Sequence, residues 1–230
     1  MNKTIDFSTY KFRCSSLPAL MTKSRSKTDP LSETAKTYLR ELWIREVFAR
    51  EKFDTKNKFT DKGIACESDS LDLVQNVTGQ TYFKNKKELN NEWIKGTPDV
   101  ILSDSVIDIK TSWDIWTYSN VDEKSAQKAY YYQLLGYMWL TGTEKGDLMY
   151  CLVNTPEEIM NHELYKLSFR FPEINESEEA AEKFKRNYLF DDISPVLRLK
   201  RYQLYLVPED IEELKEKILQ CREYLSNVSL

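Results

Sequence analysis

The chain has 230 residues, 41% of them hydrophobic and 30% charged, with a formal net charge of -4 at pH 7. That is enough to bury a core of ordinary size in one large domain, and too acidic a balance for a protein that coats nucleic acid by charge alone. The single histidine, His162, argues against histidine-rich metal sites, HExxH proteases and His-based triads, so any hydrolytic chemistry is expected to run on carboxylates and lysine.

No run of about 18 apolar residues occurs, so no bilayer-spanning helix is expected. The segment Met1-Asn2-Lys3-Thr4-Ile5-Asp6 lacks the apolar core of a signal peptide, and the expected location is cytoplasmic. Cys14, Cys66, Cys151 and Cys221 are far apart and form no CxxC pair, so they read as reduced, mostly buried thiols. Charge is unevenly spread. Basic residues predominate from Lys11 to Lys62, and Glu173 to Glu179 is acidic. Such a split suits a phosphate backbone on one side, or simply solvated helix faces.

In chain order, residues 11–30 form an irregular arm that Cys14, Leu17, Leu20 and Met21 can anchor. Ser32 caps a helix running roughly to Lys52, with Tyr38, Leu39, Leu42, Trp43, Val47 and Phe48 as its apolar stripe. Ile64, Leu71 and Val74 keep helical spacing, which predicts a helix over 62–77 that carries Glu67, with Gly63 near its start to allow close backbone approach. Thr81-Tyr82-Phe83 and Glu92-Trp93-Ile94, within 79–95, predict a strand or strand pair.

Val100-Ile101-Leu102 and Val106-Ile107 flank the polar turn Ser103-Asp104-Ser105 and predict a β-hairpin. Asp99 opens its first strand. Asp108 and Lys110, two residues apart on the second, point to one face. Trp113, Trp116 and Tyr118 follow, either as core residues or as platforms for bases, each such stack being worth ~1–3 kcal/mol. A helix from Glu123 to Leu140 carries Gln133 and Tyr137 on one face and ends at Gly142. A strand over 147–154 follows, and then a short helix capped by Thr155 with Pro156 at its first position. Leu164–Phe171 alternates like a strand, Ser177–Leu189 reads as an amphipathic helix, Leu197–Val207 as a strand, and Pro208 opens a last helix.

Taken singly, Glu67 reads as a surface glutamate, Asp99 as a turn residue after Pro98, and Asp108 with Lys110 as an ion pair of little worth. Their order says more. Gly96-x-Pro98-Asp99 followed by Asp108-Ile109-Lys110 resembles the PD-(D/E)xK nuclease superfamily. Gln133-Leu134-Leu135-Gly136-Tyr137 looks like the QxxxY motif of its RecB-like, phage lambda-exonuclease-like (YqaJ-like) branch, and Gly63 with Glu67 like that branch's helical acidic motif.

The resemblance implies an α/β fold with a restriction-endonuclease-like core, a central mixed β-sheet flanked by helices in the order αβββαβ. It implies one nuclease domain over 1–230, with an N-terminal arm and helix (1–60), a catalytic core (61–155) and C-terminal strands and helices (156–230). The implied activity is a divalent-metal-dependent DNA exonuclease that resects duplex ends. The alternatives are an endonuclease on the same site and a non-catalytic DNA-binding or assembly module. The catalytic residues would be Glu67, Asp99, Asp108, Lys110, Gln133 and Tyr137, and Mg²⁺ or Mn²⁺ would be held by Glu67, Asp99, Asp108 and the Ile109 carbonyl. Lys110 would act as base or as electrostatic stabiliser. Implied partners are DNA, a single-strand annealing protein and further copies of the chain, with no membrane. The four-cysteine iron–sulfur cluster of the branch's CRISPR-associated members finds no counterpart, because only Cys221 lies near the C-terminus.

Overall fold

The computed structural model describes residues 5–52 and 58–229. Lys56, one of the basic residues between Lys11 and Lys62, lies outside them. In chain order the elements are β1 (Phe12–Arg13), α1 (Leu17–Leu20), α2 (Glu33–Phe48), α3 (Lys58–Ala65), α4 (Glu67–Thr78), β2 (Leu89–Asn90) and β3 (Ile94–Gly96). Then come β4 (Val100–Ile101), β5 (Ser105–Thr111), α5 (Ile115–Ser119), α6 (Glu123–Thr141), β6 (Lys145–Cys151), α7 (Glu157–Ser168), α8 (Glu173–Glu176), α9 (Glu178–Lys185), β7 (Leu199–Tyr205) and α10 (Pro208–Asn227).

Two sheets form. The larger has the order β4-β5-β6-β7, with β5 and β6 parallel and both outer pairs antiparallel. This is the mixed sheet flanked by helices that the restriction-endonuclease-like fold requires. The smaller has the order β1-β3-β2. The sequence arm at 11–30 is therefore a structural part of the molecule. Phe12 pairs in parallel with Ile94, and Cys14, Leu17 and Leu20 are fully buried.

The main core gathers Phe12, Leu17 and Leu39 from the N-terminal part, Leu134 and Met138 from α6, and Leu214, Ile218 and Leu225 from α10. Arg222 on α10 closes it from outside, donating to the carbonyls of Tyr10 (3.0 Å) and Glu92 (2.7 Å). A second cluster packs Leu73 and Val74 of α4 against Ile107, Met149 and Cys151 on the other face of the large sheet. Side chains alternate across a strand. Ile107 therefore faces α4, while Asp108 and Lys110 face α6.

Several local expectations fail, most of them where tertiary contacts take over. The helix over 62–77 is two helices broken at Cys66 (φ −102°, ψ 14°), whose buried thiol donates to the Asn154 carbonyl at 3.4 Å. Thr81-Tyr82-Phe83 is not a strand. Tyr82 N–H goes to the Gln75 side chain (2.9 Å) and Asn85 N–H to the Asp99 carbonyl (2.7 Å), so the segment is held by loop bonds. Thr155 does not cap α7, and Pro156 is the N-cap residue. Leu164 to Ser168 is helical because Met160 and Leu164, one turn apart, bury together against Trp113. Among the described residues no helix is long and apolar enough to cross a membrane.

Candidate active site

The β4–β5 hairpin forms as its pattern predicts, with Val100 opposite Ile107 and Ile101 opposite Val106. Its ladder ends there, at the residue before which Pro98 and Asp99 stand. The Asp99 carboxylate takes over, accepting the Ile109 N–H at 2.8 Å. That bond holds Asp99 beside Asp108. Burial, and then the negative charge of Asp108, push Asp99 well above the ordinary carboxylate range, to about 6.

Asp108 is 2% exposed. The Lys110 ammonium lies 2.9 Å from its Oδ2 and 3.2 Å from Oδ1. Gln133 Nε2 lies 3.3 Å from Oδ1 and 3.1 Å from the Tyr137 hydroxyl. Oδ2 receives no directed hydrogen bond despite its burial and its proximity to the ammonium. Burial alone would push Lys110 down. The carboxylates of Asp108 and Asp99 outweigh it and hold the ammonium above the usual lysine range. Burial likewise raises Tyr137.

The wall around these groups is built by α6. Its N-terminus has a capping box, in which Asp122 accepts from Ser125 N–H and Ser125 Oγ accepts from Asp122 N–H, and Gly142 ends it in the left-handed region at φ 71°. Gln133 and Tyr137, one turn apart, share the face that covers Asp108. Gly96 of β3 lets Tyr137 approach. A Cβ there would stand 2.7 Å from Tyr137 Cε1 and 2.8 Å from Cys14 Sγ.

Glu67, Asp99, Asp108, Lys110, Gln133 and Tyr137 all line one cleft of about 580 Å³, and Ile109 lines it too. Glu67 stands apart from the others. It begins α4 and pairs with Lys84, its side chain 54% exposed. Among the described residues no three acidic, cysteine or histidine side chains converge on one point. The Asp99–Asp108 pair nevertheless fits a hard cation. Its donors are carboxylate oxygens, one of them buried without a directed hydrogen bond, and the two charges repel each other.

Gly63 serves no close approach, since a Cβ there would meet nothing within 4 Å. Trp113 and Tyr118, read as core residues or base platforms, are core: each is 6% exposed and packs inward, against Tyr188 and Tyr150. Trp116 is the exposed member of that group, at 67%. The basic run is not one free face either. Lys36 and Lys58 are in ion pairs and Lys62 is buried, while Arg13, Lys23, Arg25 and Lys27 stay exposed.

Among the cleft residues that sequence reasoning missed are Tyr130 and Lys84. Tyr130 sits one turn before Gln133, and its ring centroid lies 5.1 Å from the Lys110 ammonium. The signal for it was the same helical face that carries Gln133 and Tyr137. Lys84 enters from the irregular segment after α4, and nothing in the local sequence marks it.

No protein-family profile and no curated protein matches the chain. Solved structures do. A phage-related exonuclease from Haemophilus somnus 129PT superposes with a TM-score of 0.74 at 25% identity, over 94% of each chain. An alkaline exonuclease (LHK-Exo) from Laribacter hongkongensis superposes at 0.61 and 13% identity, over 95% of this chain and 89% of the other. LHK-Exo in complex with dAMP superposes at 0.60 and 14% identity, over 94% of this chain and 88% of that one.

Proposed function

We propose that this chain, which has the restriction-endonuclease-like fold of the phage-type exonucleases, is a divalent-metal-dependent DNA exonuclease that hydrolyses phosphodiester bonds at duplex ends. The observation that carries this reading is the convergence of Asp99, Asp108, Lys110, Gln133 and Tyr137 in one cleft, in the order and on the elements the nuclease motifs require.

Asp108 and Asp99 would hold the cation, with the Ile109 carbonyl and Glu67 as further oxygen donors. A cation bound there would supply a more acidic water and would neutralise charge on the phosphate. Gln133 donates to Asp108 Oδ1 and so holds the carboxylate in place. Tyr137 fixes the Gln133 amide. Lys110, held as a charged ammonium by the two carboxylates, faces the developing negative charge of the phosphate and orients the attacking water.

Linear duplex DNA incubated with Mg²⁺ or Mn²⁺ should be degraded, and covalently closed circles should survive. Lys110→Ala should lower the rate by about a hundredfold or more, and Asp108→Asn by at least as much. Unchanged digestion by both variants removes the assignment, and cleavage of closed circles turns it into an endonuclease.

A further inference from the structure

Lys84 is tied to the acidic pair through the residue that follows it. Its neighbour Asn85 donates its N–H to the Asp99 carbonyl (2.7 Å) and its side-chain amide to the Pro98 carbonyl (3.0 Å). Asn85 Oδ1 in turn accepts the Lys87 N–H at 3.0 Å, which closes the turn. The segment is thus fastened to the strand entry that carries Asp99. From there the Lys84 side chain reaches across the cleft and pairs with Glu67. Its charge also acts on Asp99 and favours the ionised carboxylate. The side chain is 33% exposed, so its flexible stem has solvent to move into.

Resting on the metal-dependent reading above, we infer that Lys84 is a built-in competitor for the divalent cation: its ion pair with Glu67 holds that carboxylate back from Asp99 and Asp108, and the cation must displace the ammonium to recruit it. The inference explains why Glu67 lies in the cleft yet does not converge with the other two carboxylates. An ammonium and a divalent cation repel, and Glu67 can neutralise only one of them at close range. Lys84 thereby lowers the affinity of the acidic cluster for metal and keeps its charge balanced in the metal-free state.

The test is calorimetric titration of Mn²⁺ into the protein without DNA. Lys84→Met should bind Mn²⁺ roughly threefold tighter or more, and Lys84→Arg, which keeps the charge, should bind like the wild type. In a Glu67→Gln background the gain from Lys84→Met should shrink to well below its wild-type-background size. The inference is overturned if Lys84→Met binds no tighter than wild type, or if its gain persists undiminished beside Glu67→Gln. Asp108→Asn separates this from the underlying reading. Loss of Mn²⁺ binding there leaves the metal site standing whatever Lys84 does, whereas wild-type binding there removes the site itself. Melting curves of each variant establish that it is folded.

Discussion

Asp99 carries two duties that conflict. It satisfies the Ile109 N–H and it stands beside a second buried carboxylate. Its folded-state pKa of about 6 lies above the ordinary unfolded value of about 3.9. Ionising it therefore costs stability. The cost is absent below about pH 4, grows as pH rises, and is complete above about pH 6. In metal-free protein Asp99→Asn, which keeps the acceptor for Ile109, should be more stable than wild type by about 2 kcal/mol at neutral pH, after allowance for the residue's partial exposure. The difference should disappear near pH 4, and urea denaturation across that range measures it. A divalent cation should reverse the order, because the charged carboxylate binds it more strongly than the neutral amide. The residue scale is also where the sequence was most informative. Asp99, Asp108, Lys110, Gln133 and Tyr137 were each legible because their spacing is fixed by one hairpin and one helix face.

At the scale of elements the decisive contacts run between segments distant in sequence. The missing side chain at Gly96, where a Cβ would stand 2.7 Å from Tyr137 Cε1, lets β3 lie against Tyr137 and Cys14. Gly96→Ala should destabilise the fold by about 1–3 kcal/mol and also lower nuclease activity, since displacing Tyr137 frees the Gln133 amide that orients Asp108. Melting temperature and DNA digestion read the two effects separately. Helix α3 is joined to the end of β5 by a different device. The Lys62 side chain is 1% exposed and donates to the Trp113 carbonyl at 2.8 Å. Burial pushes its pKa down to about 8. The unfolded chain thus holds the proton more tightly than the folded one, and stability from this site is gained as pH rises from about 8 to about 10.4. Wild type should gain about 3 kcal/mol relative to Lys62→Met over that interval, as followed by chemical denaturation. Element boundaries were the least legible part of the sequence. The break at Cys66, the loop at 81–83 and the helix through Ser168 each answer to partners outside the local window: Asn154, Asp99 and Trp113.

Across the whole molecule, the two ends of the chain share one core. Phe12 and Leu17 pack in the same cluster as Ile218 and Leu225. All four cysteines are free and fully buried, and burial raises each of their thiol pKa values. No thiol should therefore react with an aromatic disulfide reagent in the native protein, and four should react in urea. Partial labelling of the native protein would show that a buried segment opens more readily than this packing allows.

The sequence by itself determined the hairpin, the paired carboxylates and lysine on its second strand, and the helix face that covers them. These follow from periodicities of two and 3.6 residues and from turn and cap chemistry, which are local. Only the tertiary structure decided that the N-terminal arm is core, that Trp113 and Tyr118 pack inward, that Tyr130 and Lys84 belong to the cleft, and that Glu67 faces Lys84 while the other two carboxylates face each other. Those placements depend on which distant backbone groups and charges compete for the same partner, and a local pattern holds no record of that competition.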